Sequence, residues 1–334
     1  MFFILISCLM LKNAGVWLCH SLTRIHWKPY QDIAHIFIGN LNGGNYHNFF
    51  IYFMDPYVAG CALFIMPYFY FFDRKKPLHE DKYVSSMKTL LSLPGVLIKK
   101  RLYWNTSSKL GFLTIIIKIF FIPMMVSWSI SSFIQMASFF PDFQWSFQTV
   151  NMYLIQLFIL IDTTVFSLGY LTESAYLKNE IKSVEPTFLG WIVCLWCYPP
   201  FNTFSFRPFD FYIVRIGLSY PSWVHSVMTI VITGLWGIFV WASVALGFKA
   251  SNLTNRGIVT HGPYRFCRHP AYMAKVSIWI IQGIFFGQFG ILILLGFMLI
   301  YGLRAWTEER HLSLDPAYIT YKKKVRWWFI PGII

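Results

Sequence analysis

The sequence predicts an all-α, polytopic membrane helical bundle that closes with a C-terminal helical hairpin and a cytoplasmic C-terminal pocket. Three observations predict it. Only 13% of the 334 residues are charged and 56% are hydrophobic, whereas a soluble domain carries about 25% charged residues. The apolar residues come in runs too long for ordinary core helices, and the runs do not alternate as barrel strands do. The formal charge of +14 falls in the loops between those runs, where the positive-inside rule expects Lys and Arg. Topology therefore accounts for the basicity, and no nucleic-acid partner is expected.

In chain order, the opening "MFFILISCLMLKNAG" has no basic stretch before its apolar run and no small-residue cleavage site. It reads as a membrane-associated segment rather than a signal peptide. "GNLNGGN", Gly39 to Asn45, follows no strand pattern and opens no phosphate-binding helix, so it reads as a flexible loop. Apolar spans follow at Pro56–Phe72, Gly111–Met136, Val150–Tyr170, Thr187–Pro199, Ser222–Gly247, Ala271–Phe286 and Phe289–Ala305. The fourth is short and ends at Pro199 and Pro200, which bend or stop a helix. The loop Asp73–Lys109 holds nine Lys and Arg, and Ala137–Thr149 holds none. Lys178 and Lys182 follow, and then Lys249, Arg256, Arg265 and Arg268. This alternation puts the basic loops and the C-terminus in the cytoplasm, provided that the short fourth span crosses. Residues 1–110 read as N-terminal membrane segments with a basic cytoplasmic loop, 111–221 as central transmembrane helices and 222–334 as a C-terminal domain. Cys194 and Cys197 sit in an apolar segment and read as small buried hydrophobes.

The chemistry concentrates near the end of the chain. "HGPYRFCRHPAY", His261 to Tyr272, gathers Arg265, Arg268 and His269 directly before an apolar run. Pro270 suits the first helical position and makes His269 the cap. First-turn amides carry partial positive charge, so with these cations they form an anion site. A second cluster, "RAWTEERH", spans Arg304 to His311. The two intervening apolar runs are each about 26 Å of helix, so a tight antiparallel hairpin returns Glu308 and Glu309 to Arg268 and His269. On charge pattern alone, simple interfacial anchoring stands beside this ligand-site reading. Lys118, Asp162 and Lys275 fall within or just inside apolar spans, where each could line a cavity.

Taken in order, "NRGIVTHGPYRFCRHPAY", the hairpin, "RAWTEERHL" and "YITYKKKVRWWFIPG" resemble the isoprenylcysteine carboxyl methyltransferase family and its bacterial relatives. The related phospholipid N-methyltransferases share this C-terminal organisation. The resemblance covers about Ser222 to Pro331 and makes 222–334 a methyltransferase-like domain. It implies a multi-pass membrane enzyme that binds S-adenosylmethionine and methylates a lipid-like or prenylated acceptor, either a carboxylate or a phospholipid amine. It further implies cofactor contacts from Arg268 and His269, a pocket lined by Tyr264 and Tyr272, and close backbone approach at Gly262. Glu309 would take the cofactor amine or ribose hydroxyls, Tyr321 would close the pocket, and Arg304 and Glu308 would position the acceptor. No metal is implied. One departure is Trp306, directly before Thr307, where several prenylcysteine enzymes carry arginine. The ending "VRWWFIPGII" and the R-H-P block also resemble sterol reductases, which use NADPH. That alternative, and a non-catalytic membrane binding protein, remain open from the sequence.

Overall fold

Long apolar runs fold as helices because only a helix satisfies its own backbone polar groups away from water. The computed structural model describes residues 82–96, 105–139, 145–199, 201–202, 220–287 and 290–333. The N-terminal segment, the Gly39–Asn45 loop and the Pro56–Phe72 span lie outside the described residues. Eight helices carry labels here: α1 (Lys82–Val96), α2 (Thr106–Phe139), α3 (Phe147–Leu171), α4 (Phe188–Trp196), α5 (Ser222–Leu246), α6 (Pro270–Phe286), α7 (Ile291–Leu312) and α8 (Pro316–Lys324). Four of them, α2, α3, α5 and α7, are long and apolar enough to cross a membrane, and α6 is a shorter apolar helix.

The chain divides into two units, Met1–Ser127 and Trp128–Ile334. In the first, Asp73–Lys109 is not all loop, because α1 forms within it. Its buried face is a row of small hydroxyls. Ser85 donates to Asn105 Oδ1 at 3.0 Å, Thr89 donates to Ser108 Oγ at 2.8 Å, and Ser86 donates to the Ser108 carbonyl at 3.0 Å. Asn105 Oδ1 also accepts from Ser108 N–H at 2.7 Å, the bond that caps a helix start. Lys118 lies 5.4 Å from the ring of Tyr83.

In the second unit α3 and α5 lie side by side and run parallel. Thr233 donates to Asn151, Ser243 donates to Asp162, and Gly169 abuts the backbone of Ala250. Lys275 of α6 sits over the rings of Phe239 and Trp279, 5.5 Å from each. The fourth crossing is expected between α3 and α5, but α4 has only nine residues and rises about 13 Å, under half a bilayer core. As a single helix it does not cross. Thr187 caps it by accepting from Gly190 N–H at 3.2 Å, and α4 then packs along the C-terminal half of α7.

The hairpin of α6 and α7 forms as the sequence predicts. Gly287 ends α6 in the left-handed region at φ +60°, which glycine adopts without steric cost; Gln288 lies outside the described residues. Trp279 stacks on Phe297 at 4.3 Å, and Tyr272 meets Tyr301 edge-on at 5.4 Å. The two-residue strands β1 (Ser183–Val184) and β2 (Thr254–Asn255) pair antiparallel, Ser183 with Asn255 and Val184 with Thr254. This short ladder carries the chain before α4 to the α7 end of the hairpin. Helix α8 docks through Tyr318, Tyr321 and Val325 onto Ile258, Tyr264 and Leu312.

Candidate functional site

The two charged clusters do meet, but they sort into a closed clasp and an open cavity. His269 occupies the cap position of α6 with Pro270 at the first helical position, and its side chain makes no capping bond. It turns instead toward Glu309, with Nε2 3.3 Å from Oε1. Arg268 Nε donates to the same oxygen at 2.5 Å, and Lys322 of α8 reaches Oε2 at 3.0 Å. The Glu309 carboxylate thus stands among the cations near the start of α6. Arg268 Nη1 also donates to the carbonyls of Val325 and Arg326 at 2.8 and 2.9 Å. The backbone N–H groups of Arg268 and His269 donate to the carbonyls of Trp327 and Trp328, both at 2.9 Å. Arg268, His269 and Glu309 thus bind the C-terminal segment to the hairpin. Arg265 stays exposed, its guanidinium 4.5 Å from the Phe266 ring.

Gly262, Tyr264 and Tyr321 build the wall behind this clasp. Gly262 is at φ +61°, and a Cβ there would stand 2.9 Å from the Ala245 Cβ. The close approach expected at this glycine is made by α5. Tyr321 Oη donates to the Tyr264 carbonyl at 2.7 Å. Burial pushes the phenols of Tyr264, Tyr318 and Tyr321 above their usual range, which keeps all three protonated as donors. Burial also pushes the Cys267 thiol up to about 11, so it is not a thiolate at neutral pH.

The cavity lies on the other face of α7, because successive residues on a helix point about 100° apart. Glu309 enters the clasp and Glu308 enters the cavity. Arg304, Tyr272 and Glu308 line it, together with Glu185, Asn252 and His311. Tyr272 Oη donates to Glu308 Oε2 at 2.5 Å, which fixes that carboxylate. Arg304 is 7% exposed, and three tyrosine rings surround it: Tyr272 at 5.1 Å, Tyr198 at 5.3 Å and Tyr301 at 5.9 Å. It donates to Asn252 Oδ1. Asn252 is held in turn by Tyr170, whose hydroxyl accepts from the Asn252 backbone N–H at 2.7 Å and from Nδ2 at 2.6 Å. Among the described residues no carboxylate pairs with Arg304. A buried guanidinium lacking an anion is costly unless one is supplied, so this end of the cavity suits a carboxylate or phosphate.

Glu185 and Tyr198 were not singled out by the sequence, and Asn252 and His311 were given no role in a cavity. The acid before a threonine cap, "EPTF", marks a helix start, but nothing local assigns it to a cavity that α7 lines. Trp306 is 45% exposed and lies 5.1 Å from the Arg310 guanidinium, so the residue that departs from the prenylcysteine pattern faces outward.

A helical bundle with four helices long and apolar enough to cross a membrane, a polar cavity and, among the described residues, a buried cation without an anion at one end of a hairpin defines the class of a polytopic helical membrane protein. Residues 225–314 match the model of the isoprenylcysteine carboxyl methyltransferase (ICMT) family. The similarity to that family covers this stretch, about a quarter of the chain, and four of the chain's helices are long and apolar enough to cross a membrane. The match includes the hairpin and both charged clusters, and it leaves Glu185, Tyr198 and α8 outside. No curated protein and no solved structure matches.

Proposed function

We propose that the chain is an S-adenosylmethionine-dependent methyltransferase whose acceptor is lipid-like, most naturally a prenylcysteine-type carboxylate and alternatively a phospholipid amine. The observation that carries the reading is the pairing, in one cavity, of a buried unpaired Arg304 with a carboxylate, Glu308, that a phenol holds in place. The residues fit the cofactor: the acidic side chains of Glu185 and Glu308 in the cavity suit its cationic parts. When bound, S-adenosylmethionine supplies a methyl group already activated by its sulfonium.

The protein's task is then alignment, which is worth roughly 7–11 kcal/mol in favourable intramolecular cases. Arg304 orients an acceptor carboxylate; such a group is ionised at neutral pH and needs no base. An amine acceptor has to lose a proton, and Glu308 is positioned to take it. Arg268, His269 and Glu309 act through the C-terminal segment as positioning residues, Tyr264 and Tyr321 hold α8 in register, and Gly262 seats its turn against α5. Parallel α3 and α5 bring Lys178, Lys182, Lys249 and Arg256 to one end of the bundle, and by that concentration of basic residues we assign the cavity and C-terminus to the cytoplasmic side.

Purified protein titrated with S-adenosylmethionine and, separately, with NADPH tests the cofactor. Thermal stabilisation by the first is expected, and stabilisation by NADPH alone would overturn the reading in favour of a reductase. Membrane extracts incubated with isotopically labelled donor identify the acceptor by mass spectrometry. Arg304→Ala should abolish labelling of a carboxylate acceptor while leaving donor binding intact.

A further inference from the structure

One buried charge in the cavity has no role in the arrangement described so far. Glu185 follows β1 directly, and its backbone is fixed at both ends. Its N–H donates to the Leu253 carbonyl at 2.8 Å, and its own carbonyl accepts from Trp191 Nε1 at 2.8 Å. Its side chain is only 3% exposed. Oε1 is fully engaged, accepting from Thr187 N–H at 3.1 Å, Thr187 Oγ1 at 2.5 Å and Arg310 Nη2 at 2.7 Å. Oε2 is buried and has no hydrogen-bond partner. The nearest cationic candidate, His311 Nδ1, is 3.9 Å away, too far for a hydrogen bond, and its Nε2 is engaged with Ser183 Oγ at 2.9 Å. The site is also cleared for this side chain. At Gly190, which lines the same cavity, a Cβ would stand 2.4 Å from Glu185 Cγ and 2.5 Å from Cδ.

A buried carboxylate oxygen left without a donor costs free energy, so this oxygen calls for one. A ribose diol would be clamped by both oxygens of a carboxylate, and here one is already saturated. A single free oxygen with charge behind it suits a point donor, and an ammonium forms the stronger, charge-assisted bond. Arg304 and His311 are seven residues apart on α7, about 10 Å along its axis. Glu185 therefore marks one end of the cavity and Arg304 the other. We infer that Glu185 binds the amino group of the methyl donor's amino-acid end, leaving Arg304 for the acceptor's anion. The inference rests on the reading of this cavity as the donor pocket.

The test uses the full chain in detergent or nanodiscs and two probes, measured by isothermal titration. S-adenosylhomocysteine carries the amino-acid end; 5′-methylthioadenosine has the same nucleoside and sulfur without amine or carboxylate. Glu185→Gln, which keeps the shape of the side chain, is expected to weaken S-adenosylhomocysteine about 10- to 100-fold, in line with the loss of one charged hydrogen bond, and to leave 5′-methylthioadenosine unchanged. Gly190→Ala, which displaces the carboxylate without removing its charge, is expected to produce the same selective loss. Arg310→Gln should not, because its hydrogen bonds go to the saturated oxygen and Thr187 Oγ1 and none to Oε2. Equal weakening of both probes would make Glu185 a shaping residue, and no weakening would leave Oε2 to solvent; either result overturns the assignment alone. Wild-type protein that binds neither probe would overturn the donor reading, and this inference with it.

Discussion

Replacing Glu309 tests whether the clasp or the cavity holds the C-terminal segment. Arg268 and Glu309 have side chains 4% and 3% exposed and meet at 2.5 Å, so removing either strands a buried charge. Breaking such a pair typically costs about 3–5 kcal/mol. Glu309→Gln should fall at the lower end, about 3 kcal/mol, because Arg268 keeps the carbonyls of Val325 and Arg326. Arg268→Ala loses those two bonds as well and should reach about 4–5 kcal/mol. Lys322 is 45% exposed in its side chain, and Lys322→Ala should cost no more than about 1 kcal/mol. Arg268→Met combined with Glu309→Leu replaces the pair by apolar groups and should recover much of the loss. Denaturation in detergent gives the four values, and hydrogen exchange across residues 318–329 reports release of the segment. A Lys322→Ala loss equal to that of Arg268→Ala, or a double variant whose loss is the sum of the singles, would refute the clasp.

Gly262→Ala forces a side chain into φ +61° and to 2.9 Å from the Ala245 Cβ; it should destabilise by at least about 1–2 kcal/mol, read as a lower melting temperature. Tyr170→Phe removes the hydroxyl that holds Asn252 by two bonds and should cost about 1–3 kcal/mol through the unsatisfied amide, measured by denaturation. Asp315 accepts from Asn255 Nδ2 and from Ala317 N–H, both at 2.9 Å, and these bonds, with Asn255 foremost, hold its carboxyl below the ordinary 3.8. A carboxyl lowered on folding stabilises fully above that ordinary value and loses the contribution as pH falls through the lowered one. Melting curves of wild type and Asp315→Asn should therefore differ at neutral pH and converge in acid; a gap that persists unchanged in acid would exclude this origin.

The hairpin was legible because length, breakers and charge agree at both of its ends. Pro270 opens α6, Gly287 closes it, and two runs of matched length force Arg268 and Glu309 to one end of the bundle. Which charges then face a ligand was not legible. Glu308 and Glu309 are chemically identical in the sequence, and their roles diverge only through the turn of α7, which sends one to Tyr272 and the other to Arg268. The helix within Thr187–Pro199 is shorter than that span for a different reason. Hydropathy counts apolar residues, whereas Pro199 and the threonine cap decide how many of them form helix, and nine do. That short helix lines the cavity through Gly190 and Cys194. Its capped start lies beside Arg310, and the β1–β2 pairing anchors the chain there. The pairing joins residues about seventy positions apart by only two residues on each strand, below any periodicity a sequence can display. Glu185 reached the cavity by that route, so the carboxylate with the clearest call for a ligand was also the one least visible in the chain.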